Sequence, residues 1–63
     1  MPDHLTLHVE LPDALACAFA QFLKRAYFDH YRALSASDEE ADHMLAAGEA
    51  LRRALAEQGY APR

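Results

Sequence analysis

The apolar positions at the start of the chain alternate. In "HLTLHVELP", His4 to Pro12, Leu5, Leu7, Val9 and Leu11 take one parity, and His4, Thr6, His8 and Glu10 take the other. A period of two is that of a half-buried β-strand, which is expected over about residues 4–11. The period changes at Pro12. Leu15, Ala18, Phe19, Phe22, Leu23 and Ala26 then recur at steps of three and four, the stripe of an amphipathic helix. That helix is expected over about residues 12–28. Pro12 suits a first helical turn, where its missing N–H is no loss. Asp13 favours the positive end of the helix dipole, and Lys24 and Arg25 the negative end.

A second stripe of Ala41, Met44, Leu45, Gly48, Leu51 and Leu55 predicts a helix over about residues 37–58. Ser37 stands three residues before Glu40, the spacing of a capping box, and Asp38, Glu39 and Glu40 favour the same helix end. Gly59 fits the left-handed position after a helix, with Tyr60 folding back on Leu55 and Pro62 closing the segment. Gly48 costs a helix about 1 kcal/mol against alanine. A close helix–helix crossing would account for it; so would a neutral replacement.

Between the helices, about residues 28–36, the stretch "AYFDHYRALSAS" is too apolar for a plain solvent loop. It reads as a helical continuation or a short separate turn that breaks at Ser35-Ala36-Ser37. Tyr27, Phe28 and Tyr31 place three aromatics within five residues. Either they plug the gap between the helices or they form a patch for a partner.

Sixty-three residues make one domain, 1–63, and a chain this short is marginal alone. Small scaffolds rely on disulfides, metals or oligomerisation. Cys17 is the single cysteine, so no intrachain disulfide forms, and no Cys–His spacing of a zinc site occurs. Oligomerisation is the support that remains. It also answers what a lone strand pairs with, since a strand without a partner is unstable. The expected fold is mostly α with one N-terminal β-strand, in the order β-α-α. The strands of two copies would pair in an antiparallel ribbon about a two-fold axis, with Leu5, Leu7, Val9 and Leu11 of both chains as its core.

The passage "LHVELPDALACAFAQFL" resembles the start of a ribbon-helix-helix protein, and "SDEEADHMLAAGEALRRAL" is similar to the second helix of that family. Val9, Leu11, Pro12 and Leu15 stand where the family's strand-core, junction and first-helix positions fall. The resemblance implies a homodimer whose outward strand residues, here Thr6, His8 and Glu10, enter the major groove of operator DNA. The chain departs from that pattern in a connection about ten residues longer, a longer second helix, and no arginine or lysine on the outward strand face. It is also similar to short bacterial proteins of mobile elements, which implies no activity.

Charge changes the functional picture. The net charge is −4, of which residues 35–63 carry −3. The chain lacks the basic field that most nucleic-acid binders carry. Among the four histidines, His4 and His8 lie about 13 Å apart along a strand, while His43 with Glu39 or Glu40 supplies two ligands, short of a closed site. Cys17 sits in an alanine-rich helix without a neighbouring base and reads as a packed, inert thiol. No glycine-rich phosphate loop occurs. No catalytic site, metal site or cofactor is therefore expected. The longest apolar run, "ALACAFA", is far short of a membrane span, and no signal peptide is expected. The sequence points to a cytoplasmic, non-enzymatic homodimer that binds another macromolecule, first of all a protein. A regulator on operator DNA is the alternative, and an acidic inhibitor occupying a nucleic-acid-binding surface the third reading.

Overall fold

The computed structural model describes residues 3–61. Three helices form in chain order: α1 over Asp13–Arg25, α2 over Phe28–Ala33 and α3 over Asp38–Glu57. Among the described residues there is no strand. Residues 4–11 form an arm without regular secondary structure, so the β-α-α fold and its intermolecular ribbon are not what this chain adopts. The reason lies in the backbone. Alternating side chains make a segment suitable for a sheet, but a strand exists only where a second edge accepts its N–H and C=O groups. A body made of helices offers no such edge. The ribbon-helix-helix expectation falls with it.

Pro12 marks the junction. Its φ of −57° and ψ of 152° are those of extended polyproline backbone, and its carbonyl accepts from the N–H groups of Leu15 and Ala16, both at 3.0 Å. The helix starts there and the arm leaves in a different direction. At the other end α1 stops at Arg25, earlier than the apolar stripe implied. Ala26 is extended, and so is Tyr27 at φ −109° and ψ 175°. The Tyr27 N–H donates to Nδ1 of His30 at 2.9 Å, satisfying one of the N-terminal donors of α2. The aromatic connection is therefore a short separate helix.

A compact turn joins α2 to α3. Arg32 Nε lies 2.6 Å from Asp38 Oδ1, and its Nη1 donates to the Ser35 carbonyl at 3.2 Å. Ser37 caps α3, its Oγ accepting from the Glu40 N–H at 3.1 Å. The return bond of the box goes one residue earlier, from the Ala36 N–H to Glu40 Oε1 at 3.0 Å. The far end closes in a Schellman motif. Gly59 takes φ 94°, the Tyr60 N–H donates to the Leu55 carbonyl at 2.9 Å, and the Gly59 N–H to that of Ala56 at 3.0 Å. Pro62 lies outside the described residues.

Helix α3 packs against both α1 and α2, which do not pack against each other. The result is an open slab, 33 × 32 × 15 Å, rather than a closed bundle. Its buried residues are Ala16, Ala20, Leu23 and Ala26 from the first segment, and Ala41 and Gly48 from α3. Small residues let two helix backbones approach closely. Gly48 shows how closely: a Cβ there would collide with the Tyr31 hydroxyl and stand 3.2 Å from Tyr31 Cζ and 3.6 Å from Leu23 Cδ2. The glycine makes room for an aromatic plug from α2. Tyr60 ties the ends of the slab together by donating its hydroxyl to Asp13 Oδ1, which sets the start of α1 beside the end of α3.

Candidate interaction face

The residues that the helices bury are not the large ones. In α1, Leu15, Phe19 and Phe22 remain 39–56% exposed, while Ala16, Ala20 and Leu23, one step round the helix, are sealed against α3. Leu51 of α3 is 46% exposed, and Leu5, Leu7, Val9 and Leu11 of the arm are 44–76% exposed. Among the described residues, Leu23 is the one large hydrophobic residue in the buried core. Monomers rarely expose a contiguous apolar surface of this kind without using it.

These side chains are contiguous. Leu7, Val9, Leu15, Phe19, Leu51 and Leu55 line one open trough of about 910 Å³ between the arm and the two long helices. Phe22 extends it, its ring stacked on Phe19 with centroids 5.6 Å apart. The lining is apolar apart from His8, Glu57 and Gln58. Leu5, Leu7, Val9 and Leu11 were expected as the core of a ribbon. The structure instead places Leu7, Val9 and Leu11 as one wall of the trough.

The other expected site residues divide. Thr6, His8 and Glu10 are exposed on the arm, with His8 Nε2 at 3.8 Å from Glu10 Oε1; no ribbon presents them together. Of the aromatic group, Tyr31 is half-buried against Gly48 and Phe28 half-buried on α2, while Tyr27 is 68% exposed. Tyr31 thus belongs to the packing, and Tyr27 to the surface. Leu34, at the end of α2, is exposed as well.

Cys17 was expected to be packed, but its residue is exposed, because α1 turns its alanines and not its centre of hydrophobicity toward α3. It lines a shallow hollow with Ala20, Gln21, Gly59 and Tyr60. The Tyr60 phenol is held above its ordinary value, first by its hydrogen bond to Asp13, then by slight desolvation and the Asp13 charge. Among the described residues no three His, Cys, Asp or Glu side chains converge as metal ligands. No described helix is long and apolar enough to cross a membrane.

Leu15, Phe19, Phe22 and Leu51 were read from the sequence as the apolar stripes of their helices, and Ala16 and Ala20 were left out of the first stripe, so the split between a buried column and an outward one was missed. A signal for it existed. The alanines Ala16 and Ala20 form a column of their own, about 100° round the helix from Leu15 and Phe19. One helix therefore carries two adjacent apolar columns, one small and one bulky.

The chain belongs to DUF7706, a family of unknown function, whose model matches residues 1–63. No curated protein and no solved structure matches it.

Proposed function

We infer that this family member is a small, non-enzymatic interaction module that works as a homodimer and binds a further protein. The observation that carries this reading is the distribution of apolar side chains, with alanines inside the slab and phenylalanines and leucines outside it. A chain that folds for its own sake covers its largest apolar groups first, since each is worth about 1.5–3 kcal/mol when buried. Here they are left for another surface. The total exposed area fits the same reading. A compact monomer of 7.0 kDa exposes about 4,000 Å², whereas this chain exposes 5413 Å². The excess, about 1,400 Å², exceeds the roughly 800 Å² that one partner contributes to a standard interface. The radius of gyration, 12.8 Å, is likewise above the about 11 Å of a compact domain of this length.

A protein partner comes before DNA. The operator-DNA alternative relied on a ribbon to carry Thr6, His8 and Glu10 into a groove, and an unpaired arm supplies no such element. The net charge of −4 also opposes the phosphate contacts that dominate DNA affinity. A cytoplasmic setting is part of the same reading, since a reducing environment suits an exposed lone thiol such as Cys17.

Light scattering at micromolar concentration tests the first half of this reading. The expected mass is about twice the 7.0 kDa of the chain; a folded monomer would defeat it. Affinity capture from the native cell, with nucleic acid digested in half of the sample, tests the second. A bound protein should survive digestion. Loss of every bound species on digestion would favour the DNA reading.

A further inference from the structure

We propose that two copies of the chain exchange their arms: residues 4–11 of each copy lie along the α1 and α3 wall of the other's trough, in place of that copy's own arm, apolar parity inward, without strand pairing. The inference rests on the homodimeric reading and names which part of the partner covers the face.

Three observations lead to it. The arm does not seat on its own body. Leu5, Leu7 and Val9 are all at least 68% exposed, although an apolar trough opens directly beside them. Pro12 explains why. Its fixed φ and extended ψ set the direction in which the arm leaves α1, and α1 cannot grow backward through it. Second, the arm has the right reach. Eight extended residues span about 26–29 Å, close to the roughly 30 Å length of the 20-residue α3. An arm that crosses a two-fold axis can run along most of a partner's long helix. Third, the surfaces match. The alternation puts four apolar side chains on one side of the arm and His4, Thr6, His8 and Glu10 on the other. One side suits a trough of leucine and phenylalanine, and the other suits water, where His8 and Glu10 already sit side by side.

A second copy is a better occupant than an unrelated protein. The chain buries so little on its own that whatever covers the face also completes the fold. A second copy is present whenever the chain is made. The excess area, about 1,400 Å² over a compact monomer, is enough for a stable interface in which each partner contributes roughly 800 Å². Exchanging an identical element is a low-cost route to such a dimer. Charge permits it. Glu57 is the one ionisable side chain that α3 gives to the trough lining, and the inward side of the arm carries no charge to oppose it.

The test places two thiols on opposite walls of the trough. In a Cys17→Ser background, which removes the native thiol, the chain carries Val9→Cys and Leu51→Cys together and is oxidised in a glutathione buffer. A covalent dimer on a non-reducing gel, reverting on reduction, is the expected result. A disulfide closed within a single chain would overturn the exchange. If the variant fails to fold by circular dichroism, the wild type decides through a mixed sample of isotope-labelled and unlabelled chains. Contacts between Leu7 or Val9 methyls of one copy and the Phe19 or Phe22 ring of another support the exchange. Dimers in which those contacts are only intramolecular, or lacking, overturn it while leaving the homodimer standing. A wild-type chain that is monomeric by light scattering overturns both.

Discussion

Helix α1 has two apolar columns side by side, and the molecule treats them in opposite ways. The column of Ala16, Ala20 and Leu23 is sealed against α3. The column of Leu15, Phe19 and Phe22 faces outward. Hydrophobicity alone would seal the second, so the choice was made by distance. Alanines on α1 let the two backbones come close, and Gly48, beside Leu23, leaves a space that Tyr31 fills. Close approach gains many weak contacts along the helices but removes little apolar area from water. The bulky column holds the area, and that area is still available. The seam fixes the arrangement of helices within one chain, and the outward face supplies much of the apolar burial that would make it stable in a larger assembly.

Breaking the face should have the largest effect. If Phe19 is covered in the dimer, Phe19→Ala removes about 3–5 kcal/mol, and denaturant unfolding at fixed chain concentration should show it. If the face is permanently open, the loss is about half as large, because Phe19 is 39% exposed in the single chain and keeps only its stacking on Phe22 and its partial burial.

Breaking the seam comes next. Gly48→Leu drives a side chain into the Tyr31 hydroxyl and the Leu23 side chain, with an expected loss of about 1–3 kcal/mol from overpacking. Tyr31→Ala in the same chain should recover part of that loss, since the two residues share one space. Independent effects in the double variant would mean that Tyr31 does not occupy the glycine gap. Gly48→Ala is a milder case, because a gain in helix propensity of about 1 kcal/mol opposes the displacement of the tyrosine.

Ser37→Ala tests the start of the helix on which both columns depend. It orphans the Glu40 N–H and should cost about 0.5–2 kcal/mol, read as a lower thermal midpoint. Coincident melting curves would mean that the Glu40 carboxylate bond to Ala36 is sufficient by itself.

The smallest effect belongs to the clasp between Tyr60 and Asp13. Donating to Asp13 raises the folded Tyr60 phenol above its unfolded value. Its stabilisation is therefore complete below about pH 10, the ordinary tyrosine value, and is lost as pH rises through the higher folded value. An ultraviolet titration of wild type against Tyr60→Phe isolates this phenol. A difference curve centred at or below the ordinary value would show that the clasp is not formed in solution.

Local chemistry was legible from residues close together in the chain. Ser37, followed three residues later by Glu40, marked the beginning of α3. Gly59 marked its end, where a positive φ is required and a backbone turn satisfies the last carbonyls. Pro12 marked the junction with α1. The interruption of the first helix at Ala26 and Tyr27 was not visible, because no proline or glycine stands there. It follows from where Tyr31 must arrive on α3.

The sequence by itself therefore determined the ends of the helices, the apolar character of two adjacent columns on α1, and the alternation of the arm. Each depends on neighbours within a turn or two, where propensity and capping act. Tertiary structure alone decided which column went inside and whether the alternating arm became a strand. The first choice depends on how near two backbones can come, which Ala16, Ala20, Ala41 and Gly48 settle jointly from distant parts of the chain. The second depends on whether another edge is available for hydrogen bonding, and alternation specifies only the side chains of a strand, never the partner that its backbone needs.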